Sequence, residues 1–99
     1  MLLCCFTILA QPTGIINGTV TDAATGEALF GVNVFTKTNG GATNENGNYQ
    51  LSLPLGLYKI SFQYLGYDDF FVDSILLKVN DTLTINASLN STTSLINEV

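Results

Sequence analysis

The sequence contains no histidine and no tryptophan, and only three of its 99 residues are lysine or arginine. Without histidine, the chain lacks the side chain that most often transfers protons near neutral pH. Charged residues make up 11% of the chain, and the formal net charge is −5. Nucleic acids and anionic lipids are bound through basic surfaces. The composition therefore predicts no nucleic-acid partner and disfavours enzymes that depend on histidine.

The sequence also lacks the residue patterns of metal sites and of disulfide frameworks. The two cysteines are adjacent, at Cys4 and Cys5, which is neither a zinc-ligand spacing nor a disulfide framework. Segment 44–48 resembles a calcium loop only superficially, because the acid at the twelfth position and the flanking helices are missing. The eight acidic residues lie in or beside predicted turns or at exposed strand positions, which favours solvated acids over a catalytic pair. We expect no catalytic residue, no metal and no cofactor.

The apolar segment 1–10 is far too short to span a bilayer, so we expect no membrane insertion by it. It matches the central region of a secretory signal peptide, with Ala10 before the cleavage site and Gln11 as the mature start. Its positively charged beginning is missing, which would fit a truncated signal. A buried first strand is the alternative. The polar and turn-forming residues 11–14 favour the signal peptide.

The sequence does contain strict period-two alternation in the stretch 43–67. Apolar residues at every second position predict strands with one buried and one exposed face. The turn residues Leu53-Pro-Leu-Gly56 lie between two such strands, and Asn46-Gly47 is a strong hairpin signal. These features predict an antiparallel meander. Its predicted core positions are Tyr49, Leu51, Leu53, Tyr58, Ile60, Phe62 and Tyr64.

The remaining segments also favour strands. Strands are expected at 15–22, 28–38, 42–44, 70–77 and 82–89, and the last of these has the cleanest alternation. The alternation of 70–77 is poor, which indicates either a strand with neighbours on both faces or a β-bulge. Gly18 interrupts the first of them where a side chain is expected, which indicates a bulge or a close neighbour. No helical period appears after residue 10. Six or seven short strands at intervals of about 8–12 residues predict a β-sandwich.

Several short motifs occur in order along the chain: Gly18-Thr-Val-Thr-Asp22, Thr25-Gly-Glu-Ala-Leu29, Gly31-Val-Asn-Val34, Gly47-Asn-Tyr49, Leu53-Pro-Leu-Gly-Leu-Tyr58 and Tyr64-Leu-Gly-Tyr67. In this order and spacing they resemble the carboxypeptidase-regulatory-like domain over about residues 15–90. The resemblance implies an all-β fold, a seven-stranded antiparallel Greek-key β-sandwich of the transthyretin (prealbumin) type.

This domain is often found at the N-terminus of TonB-dependent outer-membrane receptors, including nutrient importers of the starch-utilisation type. Segment 94–99 resembles the start of the segment that leads into the plug domain of those receptors. The resemblance implies a signal peptide at 1–10, a sandwich at 11–90 and a flexible linker at 91–99 before an absent plug. Its implied partners are the plug and barrel of the same receptor and periplasmic energy-coupling or envelope proteins. Its implied location is the cell envelope after export, in the periplasm or outer membrane.

The function predicted on this basis is that of a non-catalytic accessory module. The alternative is a stand-alone secreted domain that binds carbohydrate or protein. We expect the tail 91–99 to be mobile, since it offers too few apolar side chains to offset the entropy of ordering it. Tyr67 follows Gly66 and is free for a surface role, or its hydroxyl ties a strand corner to nearby backbone. The candidate partner or ligand surface comprises Tyr67, Leu95, Ile96, Glu98 and Val99.

Overall fold

The computed structural model describes residues 12–92, which fold into strands joined by turns without any helix. No helix of the described part is long and apolar enough to cross a membrane. The strands are β1 (Thr13–Asp22), β2 (Asn33–Phe35), β3 (Gly40–Ala42), β4 (Asn48–Pro54), β5 (Gly56–Gln63), β6 (Phe70–Leu77), β7 (Thr82–Thr84) and β8 (Ala87–Leu89).

The strands form two sheets. In sheet 1, β1 lies in the middle, with β4 antiparallel on one side and β7 and β8 parallel on the other. In sheet 2 the order is β3-β2-β5-β6, and every pairing is antiparallel. The predicted all-β sandwich is confirmed. Two details differ from the expectation: eight strands are found where seven were predicted, and β1 has parallel partners.

The core lies between the two sheets. Every predicted core position of 49–53 is at most 5% exposed, and Ile60 and Phe62 are fully buried, while Tyr58 and Tyr64 are partly buried. The alternation therefore identified the buried faces correctly. The buried apolar residues are Ile16, Val20, Leu29, Val32, Val34, Tyr49, Leu51, Leu53, Ile60, Phe62, Ile75, Leu77, Ala87 and Leu89.

The predicted meander is wrong in its pairing. β4 pairs with β1 in sheet 1, whereas β5 pairs with β2 and β6 in sheet 2. The turn at Leu55 therefore carries the chain across the core from one sheet to the other. The buried faces of β4 and β5 therefore lie opposite each other in the core, where the rings of Tyr49 and Phe62 pack edge to face with centroids 5.6 Å apart. Alternation reports which side chains are buried, but it does not report which strand supplies the hydrogen-bond partners.

The Asn46-Gly47 turn forms, but it does not close a hairpin. Gly47 has a φ of 78°, and its N–H donates to the Asn44 carbonyl at 2.8 Å. The Oδ1 atom of Asn44 accepts the backbone N–H groups of Asn46 at 2.9 Å and Asn48 at 3.0 Å. The strands on either side, β3 and β4, belong to different sheets. The turn chemistry was predicted correctly and the partners were not.

The outer edge of β4 has few free backbone groups. Alternate residues of an antiparallel strand bond to opposite neighbours, so the register with β1 leaves Asn48, Gln50, Ser52 and Pro54 facing the open side. The backbone of Asn48 is bonded to the preceding turn. Proline has no N–H, and the Pro54 carbonyl accepts the hydroxyl of Tyr58 at 2.6 Å. Only Gln50 and Ser52 keep unbonded backbone groups on this edge.

Two strands of sheet 2 differ from the expectation, one in its length and the other in its position. The strand predicted at 28–38 shortens to β2, because a buried side chain bonds the backbone before it. The hydroxyl of Thr43 accepts the Val32 N–H at 3.0 Å and donates to the Leu29 carbonyl at 2.5 Å. Such side-chain bonds replace a strand ladder. The short strand predicted at 42–44 lies instead at 40–42.

β6 contains the predicted irregularity. Its register with β5 shifts between Tyr58 and Ile60, so that Asp73 and Ser74 face a single residue of β5. Ser74 has a φ of 59°, which a bulged residue can adopt. The poor alternation of this segment is therefore the consequence of a β-bulge, one of the two explanations that the sequence left open.

The strand predicted at 82–89 is interrupted. Its alternation persists, but the chain leaves β1 at Ile85 and Asn86, which separates β7 from β8. The Ile85 carbonyl lies where a Cβ on Gly18 would be, and the Tyr49 hydroxyl donates to that carbonyl at 2.5 Å. Burial raises the pKa of Tyr49 to about 12, so the hydroxyl remains a donor at neutral pH. In place of a ladder bond, the Thr19 N–H donates to Oδ1 of Asn86 at 2.9 Å. Gly18 thus marks the close neighbour that the sequence indicated.

The sandwich extends slightly past the predicted boundary at residue 90. Ser91 forms an isolated bridge with Tyr67, and the Thr92 N–H donates to the Gly66 carbonyl at 2.9 Å. These two residues therefore belong to the folded body instead of the linker. The predicted signal peptide at 1–10 and the rest of the predicted linker, residues 93–99, lie outside the described residues.

Candidate functional site

Tyr67 is the only predicted surface residue within the described part of the chain. Its side chain is partly buried, its ring lies 5.5 Å from that of Tyr64, and its hydroxyl donates to Oδ2 of Asp22 at 2.5 Å. The structure therefore favours the strand-corner role, with a carboxylate instead of the backbone as the acceptor. The other predicted surface residues are outside the described part: Leu95, Ile96, Glu98 and Val99.

Asp22 is the centre of this corner. Its Oδ1 atom accepts the N–H groups of Ala24 at 2.7 Å and Thr25 at 3.1 Å. The Tyr67 hydroxyl and these two N–H groups lower the pKa of Asp22, and the bond to Asp22 raises the pKa of Tyr67 to about 12. The pKa values of both groups are thus shifted further from neutral pH. The pair holds a turn together and is unsuited to proton transfer at pH 7.

The Asp22 corner gives a pH-dependent prediction. The lowered pKa means that its stabilisation is present above pH 3.8, the ordinary value, and is lost as the pH falls through the folded-state pKa. Asp22→Asn should lower the melting temperature at pH 7, and the difference from the wild type should vanish well below pH 3.8. Thermal melts across this range measure it. Glu45→Gln, in an exposed turn, is the control, and an Asp22→Asn deficit that persists in acid would contradict the argument.

Two other acids, Asp73 and Asp81, bond to nearby backbone. The Ser74 N–H donates to the carboxylate of Asp73 at 2.8 Å, and the Lys78 N–H donates to that of Asp81 at 3.1 Å. Within residues 12–92, no three His, Cys, Asp or Glu side chains are grouped so that they could hold a metal ion. The candidate functional features are therefore the two outer sheet faces.

The outer face of sheet 1 carries a polar groove of about 530 Å³. Most of the residues that line it come from three adjacent strands, in rows set by the register of β1 with β4 and with β7. Ala42 at the end of β3, Asn44 and Asn86 complete the lining. None of the residues that line the groove is charged. We call this surface the amide face; it comprises Asn17, Thr19, Asn48, Gln50, Thr84 and Asn86.

Hydrogen bonds hold the side chains of the amide face in place. The Thr84 hydroxyl donates to Oδ1 of Asn17 at 2.8 Å, and the Thr19 hydroxyl donates to Oδ1 of Asn48 at 2.7 Å. Oδ1 of Asn86 accepts the Thr19 backbone N–H. The oxygens of three amides are thus engaged within the protein. Their NH₂ groups, two donors each, remain for a ligand.

The outer face of sheet 2 is apolar. Leu57 is 68% exposed, and Phe71 and Leu76 are each 55% exposed. Leu57 lies opposite Leu76 in the sheet, and Phe71 lies opposite Ser61. The Nζ atom of Lys59 is 4.2 Å from the centroid of the Phe71 ring, within cation–π range. We call this surface, with Phe35 at its margin, the apolar face.

Sequence reasoning identified neither face, although a signal for both was present. Predicting the buried positions also assigned their alternates to solvent, which placed Gln50 and Lys59 outside. Reading the outward positions of 17–19, 48–50 and 84–86 together shows amides and hydroxyls only. Their adjacency depends on the pairing of β4, β1 and β7, which the sequence did not predict.

Comparisons with solved structures find the same fold in other proteins. A Bacteroides uniformis protein, described as a candidate carbohydrate-binding protein, has a TM-score of 0.58 and 17% identity over 79% of this chain and 41% of that chain. BcpA, the major pilin subunit of Bacillus cereus, has a TM-score of 0.60 and 23% identity over 82% of this chain and 31% of that chain. At these identities the likeness shows the fold alone.

A third structure is more similar in sequence. It is a candidate membrane-associated protein of unknown function from Bacteroides fragilis, with 26% identity and a TM-score of 0.59 over 85% of this chain and 30% of that chain. This chain thus spans less than half the length of each of these proteins. No curated protein matches the chain in sequence.

A family model gives the most specific comparison. The model described as the CarboxypepD_reg-like domain matches residues 16–99. That range includes strands of both sheets and the turn motifs that carry the resemblance described above. The match confirms the predicted family, and the chain belongs to the CarboxypepD_reg-like domains, which are accessory β-sandwich domains.

Proposed function

We propose that this domain is a non-catalytic N-terminal accessory module of a TonB-dependent outer-membrane nutrient receptor. The observation that carries the proposal is the path of the chain. β1 begins at Thr13, opposite Pro54, whereas the last described contacts, at Ser91 and Thr92, lie at the corner of Asp22 and Tyr67. Because β1 joins these two regions, they are separated by roughly 30 Å, the length of ten strand residues.

A domain in which the chain enters at one end and leaves at the opposite end is suited to a position between two other parts of a longer chain. It can space a preceding segment from a following domain without folding the chain back on itself. The side chains support a passive role, since Asp73 and Asp81 accept N–H groups of nearby backbone and the pKa values of the Asp22–Tyr67 pair are shifted away from neutral pH. In this proposal, segment 93–99 leads from the sandwich towards the plug, and the module resides in the periplasm or at the outer membrane.

Fractionation of the native cells tests the proposal. An antibody raised against the sandwich should detect, in the outer-membrane fraction, a band much larger than the 10.6 kDa of this chain. Pre-absorbing the antibody with the purified domain is the control and should abolish the band. A band of about that small mass, found only in the culture medium, would exclude a receptor module.

The second candidate function is a stand-alone secreted domain that binds carbohydrate or protein. The amide face favours it, because a groove built mainly by three strands and lined by ordered polar side chains is a feature of a binding surface. The same fractionation separates the two candidates, since a secreted domain would give the small band in the medium.

A further inference from the structure

We propose that the amide face binds a linear, uncharged oligosaccharide. This inference goes beyond the receptor proposal, because it assigns a ligand and a site that the domain would keep either as a receptor module or as a secreted protein. It also assigns a binding surface to the second candidate function, that of a secreted domain that binds carbohydrate or protein. The argument rests on the charge, the hydrogen-bond inventory and the shape of the groove.

The first observation is the lack of charge. The chain has a net charge of −5, yet neither an acid nor a base lines the groove. A phosphate, sulfate or carboxylate ligand would normally be held by Arg or Lys. A basic ligand would normally be held by a carboxylate. A groove with neither kind of partner fits a neutral molecule that depends on hydrogen bonds.

The second observation is the orientation of the amides. With the oxygens of Asn17, Asn48 and Asn86 engaged inside the protein, three NH₂ groups are positioned as donors on one surface. Gln50 stands in the same row as Asn17 and adds both a donor and an acceptor. Hydroxyl groups can accept and donate at neighbouring positions. A chain of sugars therefore satisfies this pattern better than an apolar ligand does.

The third observation is the shape of the site. Neighbouring strands lie about 4.8 Å apart, and successive outward side chains on one strand about 6.7 Å apart, so the face offers a grid of regularly spaced polar groups. The volume of about 530 Å³ lies within the range of small-ligand sites. An open groove of this kind suits an extended oligosaccharide that lies across the strands, instead of a single sugar enclosed in a pocket.

The affinity should be modest. Tyr49, the one aromatic residue that lines the groove, is only 4% exposed, so its ring offers no platform on which a sugar can stack. Recognition then depends on hydrogen bonds, each of which contributes little once water is displaced. We expect dissociation constants in the millimolar range for one domain. Several copies displayed together on a cell surface would bind a long oligosaccharide more tightly than one copy does.

Chemical-shift titration of the isotope-labelled full chain tests the proposal. The probes are xylohexaose, maltohexaose and mannohexaose, with hexagalacturonate as the charged counterpart. We expect saturable shifts for at least one neutral probe, clustered at Asn17, Thr19, Gln50, Thr84 and Asn86. Hexagalacturonate should cause none. Absence of shifts at millimolar concentrations, shifts clustered elsewhere or preferential binding of hexagalacturonate would each overturn the proposal.

Gln50→Ala is the matched variant, because this exposed side chain makes no hydrogen bond on which the fold depends. It should weaken binding about 5–10-fold, the effect of losing one or two ligand hydrogen bonds. Gln63→Ala removes the same side chain from an exposed position of sheet 2 and should leave binding unchanged. Equal affinities for the two variants would overturn the assignment of the site. Cell fractionation does not depend on this result, so the failure of one proposal is distinguishable from the failure of the other.

Discussion

Replacing Phe62 with alanine is expected to lower the free energy of unfolding by about 3–5 kcal/mol, the range for truncating a buried aromatic side chain. Phe62 is fully buried in β5, and its ring contacts those of Tyr49 and Phe70 at centroid distances of 5.6 and 5.8 Å. The contact with Tyr49 joins the two sheets across the core, and the contact with Phe70 lies within sheet 2. The cavity left by the substitution would therefore lie between the sheets, where neither can easily close it. Urea unfolding of the purified chain measures the loss.

Ser61→Ala is the control for this prediction. Ser61 is the preceding residue of β5, and its side chain belongs to the outward set of sheet 2. Its replacement should change the free energy of unfolding by less than about 0.5 kcal/mol. Similar losses for the two variants would mean that the faces of β5 are assigned wrongly.

The second large effect is expected at Gly18. A Cβ atom built there would lie 1.9 Å from the carbonyl oxygen of Ile85 and 2.9 Å from Cε1 of Tyr49. The first of these is a backbone atom, so the chain between β7 and β8 must move before even a methyl group can fit. That movement would break the bond from the Tyr49 hydroxyl to Ile85. We expect Gly18→Ala to cost about 1–3 kcal/mol or more, measured by chemical unfolding.

Gly41→Ala provides the matched comparison. A Cβ at Gly41 would meet only a side-chain atom, Cδ2 of Leu51, at an ordinary contact distance of 3.6 Å. This variant should retain the stability of the wild type within about 0.5 kcal/mol. If Gly18→Ala were tolerated equally well, the close approach of Ile85 to β1 would not exist in solution. Loss of stability in both variants would point to a general cost of replacing glycine in these strands.

The burial of side chains was predictable from the sequence, because a strand has a period of two and needs no knowledge of its neighbour. Residues 49–53 and 58–64 show this most clearly. The bulge in β6 was also predictable from its broken alternation. The Asn46-Gly47 turn was predictable because the residues themselves determine the φ values that they tolerate.

The pairing of strands was not predictable in the same way. The turn at Leu55 could have joined two strands of one sheet or crossed between sheets, and the same alternation is compatible with both. The interruption at Ile85 depends on Gly18, which is far away in sequence. The hydroxyl of Thr43, only 2% exposed, ends one strand early through bonds that no local pattern indicates. Contacts across the fold decided each of these features.

The amide face also depends on contacts across the fold. Each of its residues looked like an ordinary solvated position on its own strand. Only the observed order β4-β1-β7 brings Gln50, Asn17 and Thr84 into one row. The position of the proposed ligand site was therefore not predictable from the sequence, although the outward residues of each strand were. In contrast, the corner of Asp22 and Tyr67 was partly foreseen, as a hydroxyl that secures the end of a strand.

The closed ends of β4 affect how copies of this domain behave when crowded. An uncovered strand invites another chain to extend the sheet, and long uncharged edges are a common start of aggregation. β4 contains no charged side chain, yet the Asn44 turn and the Tyr58 hydroxyl occupy its two ends, so that only Gln50 and Ser52 offer backbone bonds to an incoming strand. Two residues are too few to support a stable added strand. Crowded copies of this domain are therefore not expected to join through β4, which leaves the longer edge strand β6 of sheet 2 as the edge more open to an added strand.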